Sequence, residues 1–423
     1  MDSGVRWDHP EFLVPGTSSF STKDDTRVRD ILIHGASEYG INWSSEGLVA
    51  PGTGSLANYN EARALGSSIG IYDYHGSHVA GTAAGNMFGA AFEANIWSIA
   101  CIDRSDVGFS EPADGFDYIK VWHKNKPINP VTGRKNPTVV NCSWGFRQFF
   151  NNNSSYNLTF RGSSYTKTNV DSGPSAVPAV YYMSYGFGNY REFTSVKTAS
   201  QSEANEIAND PDCKNMIFVC AAGNSSDKQE DFNGLDYNNE ITSASFYYSS
   251  GYDAYFNRPG TPAITNHGKD NAWIIVGSID SQRMSGSQER CSSFSNRGPA
   301  IDVWAGGSNI LSPYAGTYAY DDPRDSNFKL EMISGTSMAS PNVTGVIATY
   351  LESNPDADQA AVRKWLYEEG STTVSSSDYY DAYQSNSATD FNYWGVSHSL
   401  KSSPRRILFN PYANNRKSII SGF

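Results

Sequence analysis

Four short runs of this chain are largely apolar and β-branched, and they limit the folds open to it: Asn95–Cys101, Thr138–Cys142, Met216–Ala222 and Trp273–Ser278. Each is bounded by Gly, Asn or Ser, the usual punctuation of strands. A strand wetted on one face alternates apolar and polar residues, whereas one buried on both faces does not. The runs therefore predict a mainly parallel central sheet covered on both sides. Helices must supply the cover. His75–Ala84 is rich in small residues, and Ser337–Leu351 carries Met338, Ala339, Val343, Val346, Ile347 and Leu351 nearly all round, so it should be buried. Pro341 falls in its first turn, where a missing N–H costs little. A further helix over about Asp358–Glu368 sets Ala361, Val362, Trp365 and Leu366 on one face, with Gly370 placed to end it. Strands alternating with helices predict a three-layer α/β domain.

Long polar segments interrupt this pattern. The expected organisation is one α/β domain over residues 1–370, with insertions at about 16–67, 146–205 and 225–270, followed by a C-terminal extension over 371–423. The insertions are rich in Ser, Asn, Tyr and Gly and are too long for simple connections. The extension is Ser- and Tyr-rich, then basic at Arg405, Arg406 and Arg416, and either packs on the core or carries the chain elsewhere.

Composition narrows the function. Lys+Arg 32 against Asp+Glu 44 gives a net charge of −12, spread along the 423 residues without a basic run. Such a chain is a poor partner for nucleic acid or an anionic membrane surface. No apolar run approaches the ~20 residues of a membrane helix, and no signal peptide is visible at Met1-Asp2-Ser3-Gly4. The localisation is left open. Cys101, Cys142, Cys213, Cys220 and Cys291 are odd in number, scattered, and without a Cys-x-x-Cys pair, which argues against both a disulfide framework and a zinc site.

Four segments together offer the parts of nucleophilic hydrolysis by serine: a hydroxyl, a neutral imidazole, a carboxylate that fixes the imidazole tautomer, and donors for an oxyanion. Gly335-Thr336-Ser337-Met338-Ala339-Ser340-Pro341 puts a serine at the start of a buried helix. His75-Gly76-Ser77-His78-Val79-Ala80-Gly81-Thr82 opens the other small-residue helix with a histidine. Cys220-Ala221-Ala222-Gly223-Asn224 ends a strand in a turn carrying an amide side chain. Asp2-Ser3-Gly4-Val5 places a carboxylate before a turn. Simpler readings exist for each. Gly-x-Ser and Asp-Ser-Gly are common turns, Asn224 suits a strand end, and Asp24, Asp25 and Asp30 are other carboxylates. His75 and His78 could form a metal pair, but no third ligand lies near, so no metal or cofactor is expected.

In this order the segments resemble the subtilisin-like serine peptidases. Asn141-Cys142-Ser143-Trp144-Gly145 is similar to the strand lining that family's cleft, and Ser293-Phe294-Ser295-Asn296-Arg297-Gly298-Pro299 to the stretch before its nucleophile. The resemblance implies Ser337 as nucleophile, His75 as general base, Asp2 as its orienting carboxylate, and Asn224 with the Ser337 N–H as oxyanion donors. It implies Ser143, Trp144 and Gly145 as the edge that pairs with an extended substrate, Ala222 and Gly223 as part of the pocket wall, and His78 and Asp73 as supporting residues. A protein or peptide substrate follows, cleaved through an acyl-enzyme. The alternative is a structural or assembly protein, for example in a virion. It would use such a domain for architecture or limited processing and make contacts through its insertions or extension.

The chain also departs from the family. There an apolar strand runs directly into the catalytic aspartate; here only Met1 precedes Asp2. Without that strand, neighbouring strands lose backbone partners and the core has a gap. The expectation is that the numbered chain is part of a longer product or, failing that, that another segment fills the place. Gly85–Ala94 has no Asn/Asp-rich insertion, so the family's best-known calcium loop is not expected. Asn342 stands where a histidine is usual, and Ala305-Gly306-Gly307 replaces Ala-Pro-Gly.

Overall fold

The computed structural model describes residues 1–65, 74–102, 109, 112, 114–149, 156–166, 192–195, 198–242, 255–260, 273–282, 288–316, 319–377, 400 and 402–413. The apolar runs form the strands that their composition predicts. They are β2 (Ile96–Ser98), β3 (Thr138–Cys142), β4 (Met216–Ala221) and β5 (Ile274–Ile279); β1 (Val28–Asp30) precedes them and β6 (Val303–Gly306) follows. β3, β4, β5 and β6 are parallel neighbours, with Phe218 opposite Val140 and Val276 opposite Val303. Every residue of β4 and β5 is buried, which is why neither alternates in sequence. β1 and β2 form a separate parallel pair.

Helices α1 (Ile31–Tyr39), α2 (Tyr74–Ala84), α3 (Asp114–Asn125), α4 (Thr336–Ser353) and α5 (Gln359–Glu368) cover the sheet. α4 lies across β3 to β6, and Ala339, Val343, Val346 and Ile347 enter the core with Ile217, Val219, Ile274 and Val276. On the opposite side an aromatic layer closes over β3 and β4. There Phe218 stacks on Trp273 with ring centroids 4.1 Å apart, and Phe116 packs edge-on to both. α2 and α4 cross closely because Gly345 leaves room: a Cβ there would stand 2.3 Å from the Ala83 carbonyl oxygen.

Two segments that read as peripheral belong to this core. Within residues 16–67, Asp30 caps α1 by accepting from Leu32 N and Ile33 N, and Ile31, Leu32 and Trp43 are buried with Phe116 and Trp122. After residue 370, β11 (Arg406–Leu408) pairs in parallel with β6, and β10 (Ser371–Thr373) pairs antiparallel with β11. Trp304 Nε1 donates to Pro404 O at 2.7 Å and ties that segment down. All five cysteines are buried, and none of them forms a disulfide.

A three-stranded antiparallel sheet of β7 (Ile310–Tyr314), β8 (Tyr320–Asp322) and β9 (Asp325–Ile333) packs on α2. Its backbone receives His78, the second histidine of α2, whose Nε2 lies 2.9 Å from Ile310 O and 3.2 Å from Glu331 O. Nε2 therefore carries the proton. Nδ1 is buried with no hydrogen-bond partner, so a second proton there would have no acceptor. Burial accordingly pulls the His78 pKa down to about 4. An unfolded chain binds a proton at this residue below about pH 6.5, whereas the folded one does not until about pH 4. Stability should thus fall as pH drops through that window. We expect His78 to make the protein less stable at pH 5 than at pH 8 by on the order of 2 kcal/mol. His78→Gln, which keeps a donor but cannot titrate, should lose that increment. Urea denaturation of both proteins at the two pH values checks this, and an equal pH dependence in the variant refutes it.

Candidate active site

The segments singled out in the sequence meet at the C-terminal ends of β3 and β4 and the N-termini of α2 and α4. Asp2 is held by its backbone. Its N–H donates to Ile99 O at 3.2 Å, and its carbonyl accepts from Cys101 N at 2.9 Å. The carboxylate is buried and reaches the mouth of α2, where Oδ1 lies 2.7 Å from His75 Nδ1 and also accepts from Ser3 N at 2.7 Å. Ser3 Oγ accepts from Gly76 N and Ser77 Oγ from Arg6 N, so the Asp2 turn and α2 are sewn together on both sides of the pair. Gly76 permits the approach: a Cβ there would lie 2.0 Å from Gly4 O.

Burial pushes the Asp2 carboxyl up, but the adjacent His75 imidazole, the Ser3 N–H and the chain's amino group together hold it below the usual carboxylate range. Asp2 therefore stays ionised and fixes the His75 tautomer with Nδ1 protonated. The His75 side chain remains 31% exposed. Asp30, an alternative carboxylate, is occupied as the cap of α1 and by the Tyr59 hydroxyl at 2.7 Å. Asp25 caps its own turn through Ser21 N and Thr22 N.

Ser337 is the second residue of α4 and is half-buried. Its hydroxyl donates to Ser143 O at 3.0 Å, while Ser143 Oγ donates back to Ser337 O at 2.8 Å. The strand end and the nucleophile candidate are thus mutually locked. Beyond Ser143, Trp144 turns its indole inward onto Phe116, so among the expected edge residues it offers its backbone rather than its side chain. Gly145 is exposed, and Phe146 N donates to Gly260 O at 3.0 Å.

The Asn224 amide is oriented by Thr336. Asn224 Oδ1 accepts from both Thr336 N and Thr336 Oγ1 at 2.9 Å, which leaves Nδ2, the donor, beside Gly335 at the mouth of α4 on an exposed residue. Thr336 Oγ1 in turn accepts from Gly223 N, and Gly223 adopts a left-handed φ of 102° that the turn demands. Ala222 is buried, and its carbonyl accepts from Asn296 Nδ2 at 2.9 Å; Asn296 Oδ1 takes Ser225 N and Asp227 N. The Ser293–Pro299 stretch is therefore the brace of the Asn224 turn.

Asp73, expected as a supporting residue, lies outside the described residues. Thr336 and Asn141 carry structural roles that the motifs did not reveal. Asn141 Oδ1 accepts from Ser340 Oγ at 2.8 Å and Thr344 Oγ1 at 3.0 Å, and its Nδ2 donates to Ser143 Oγ at 2.8 Å. The Ser340 and Thr344 hydroxyls, one helical turn apart, were the available clue. Asn342, by contrast, bonds only backbone: Gly306 O and Met338 O. Elsewhere, Asp117, Glu203 and Glu206 bring carboxylate oxygens within 4.8 Å of one another on α3 and the helix Thr198–Asn209, where Lys120 pairs with Glu206.

Asn141→Ala leaves the buried Ser340 hydroxyl without its acceptor, leaves Thr344 only the Ser340 carbonyl, and frees Ser143. It should cost about 1–3 kcal/mol of folding stability, measured as a lower urea midpoint with an unchanged slope; a wild-type midpoint would show that water replaces the side chain freely.

A family model described as the subtilase family matches residues 1–376. An alkaline proteinase of Hapsidospora chrysogena is 25% identical over 293 residues, which is 69% of this chain and 46% of that protein. A cuticle-degrading serine protease of Arthrobotrys oligospora is 27% identical over 277 residues, 62% of this chain and 57% of that protein. The chain thus spans about half the length of these curated relatives. Among solved structures, that of a cold adapted subtilisin-like serine proteinase aligns with 97% of this chain and 86% of its own, with 19% identity and a TM-score of 0.45.

Proposed function

The chain belongs to the subtilase family, and from that premise we propose that it is a serine endopeptidase acting through an acyl-enzyme on Ser337. The observation that carries the proposal is the short contact of buried, ionised Asp2 with His75 Nδ1 at 2.7 Å, together with an exposed Asn224 whose amide is bound to the first turn of α4. The substrate class is a polypeptide in extended form. Ser143, Trp144 and Gly145 would offer backbone groups to it as a neighbouring strand does, with Ala222 and Gly223 in the pocket wall.

In the proposed reaction the Ser337 hydroxyl rotates from Ser143 O toward His75 Nε2 and gives up its proton there as Oγ bonds to the scissile carbonyl carbon. Asp2 stabilises the imidazolium that results. The oxyanion receives Asn224 Nδ2 and the Ser337 N–H, both fixed before the reaction begins. Collapse breaks the C–N bond, and His75 returns the proton to the leaving amine. Water then repeats the sequence on the ester, its proton passing through His75 and back to Ser337. A substrate N–H that takes over Ser143 O would free the hydroxyl for this rotation.

Labelling with a fluorophosphonate should modify Ser337 in the wild type and leave Ser337→Ala unlabelled. Asn224→Ala should lower kcat by about 10²- to 10³-fold with little change in KM. A folded wild-type protein that neither reacts with the probe nor cleaves casein would overturn the proposal.

A further inference from the structure

The peptide group between Ala222 and Gly223 is held at both ends. Its N–H donates to Thr336 Oγ1 at 3.0 Å, and its carbonyl accepts twice, from Gln229 Nε2 at 2.6 Å and from Asn296 Nδ2 at 2.9 Å. Gln229 and Asn296 are both buried, so neither donor has bulk water as an alternative. Turning a peptide group over changes only ψ of the residue before it and φ of the residue after it. Glycine in the second place tolerates either sign of φ, so Gly223, at 102°, offers little resistance of its own. The resistance has to come from hydrogen bonds.

What depends on that group is the orientation of Asn224. Thr336 Oγ1, which accepts from Gly223 N, donates to Asn224 Oδ1 at 2.9 Å. With the peptide turned over, Gly223 N would leave the threonine and the backbone entering Asn224 would be redirected. Asn296 supports the whole turn, since its Oδ1 also takes Ser225 N and Asp227 N. Gln229 is more specialised. Its Nε2 donates to the Ala222 carbonyl, while its Oε1 is buried with no hydrogen-bond partner. A buried acceptor left in that state is costly, and the bond to Ala222 O offsets the cost. The backbone of Gln229 is placed just as closely. Its N–H donates to Arg297 O at 2.6 Å, and its carbonyl accepts from Ala300 N at 3.2 Å. Gly298, with a φ of 122°, lets the two segments approach: a Cβ there would stand 2.2 Å from Gln229 O.

We propose that Gln229 is a positioning residue for the oxyanion site, whose amide pins the Ala222–Gly223 peptide and thereby aims Asn224 Nδ2. This deepens the peptidase reading and rests on it. Under that reading the extended substrate pairs with Ser143–Gly145, which the loss of the pin leaves in place. The donor to the oxyanion is then no longer fixed in advance, so the deficit falls on the transition state rather than on binding.

Two substitutions test this. Gln229→Met keeps the length of the side chain and removes both the donor and the unpaired oxygen, whereas Gln229→Glu keeps its shape and exchanges the donor for an acceptor. With a quenched fluorescent casein peptide as substrate, each should lower kcat about tenfold and leave KM unchanged. Tyr118→Phe, which removes a hydroxyl bonded to Val49 O elsewhere in the fold, should keep the wild-type kcat. The second readout is amide hydrogen exchange in the Ser337→Ala chain, which needs no activity. Either Gln229 substitution should speed exchange of Gly223 N–H about tenfold, while Phe218 in β4 keeps its rate. The proposal is overturned if kcat is retained, if the loss lies in KM alone, or if Gly223 exchange is unaltered. It is also overturned if Gly223 and Phe218 accelerate together, which would mark a general loss of stability. A wild type that leaves casein uncut overturns the peptidase reading itself, and is told apart because the Gly223 rates still separate the variants.

Discussion

Backbone amides and carbonyls inside a sheet covered on both faces have no water to turn to, so each must find a partner within the protein. That constraint organises this molecule. It holds β3 to β6 in one parallel register, seats α4 across them, and recruits β11 and β10 to the far edge. It also fixes Asp2. Two main-chain bonds to Ile99 and Cys101 position the residue before its carboxylate meets His75. Side-chain chemistry at that end of the sheet is thus a consequence of main-chain pairing.

The catalytic candidates are held by polar side chains that do no chemistry themselves. Thr336 orients Asn224, Asn296 braces the turn on which Asn224 stands, and Asn141 joins β3 to α4 beneath Ser337. Each satisfies several backbone or hydroxyl partners at once. Such buried networks are favourable only when complete, because a half-satisfied one leaves a desolvated group without compensation. The rigidity matters for electrostatics. Donors aimed in advance at a developing oxyanion need no reorganisation during the reaction. The mutual bonds between Ser143 and Ser337 hold that hydroxyl on the end of β3.

Burial sorts the histidines by role. His75 sits at the helix mouth, partly exposed, with one nitrogen on an ionised carboxylate. His78, one position from a full turn later, is enclosed, bonded to carbonyls through Nε2 and kept neutral. The motif alone presents two histidines on one helix as a possible metal pair. Only their surroundings separate the candidate base from a packing residue.

The sequence by itself determined the layers and singled out the candidate site. Continuous apolar runs required strands buried on both faces. The small-residue helices required close crossings, and the motif blocks named Ser337, His75, Asp2 and Asn224. Those signals are local, since each depends on residues adjacent in the chain. Tertiary structure alone decided the rest. Ile31, Leu32 and Trp43 lie in a polar stretch, so their burial with Phe116 could not be read from periodicity. The isolated strand Arg406–Leu408 gains its meaning only from the edge of β6. Thr336, Asn296 and Asn141 look like ordinary polar residues until they are placed against partners up to hundreds of positions away. A hydrogen-bonding edge is a property of position in a sheet and leaves no mark on the residue that carries it.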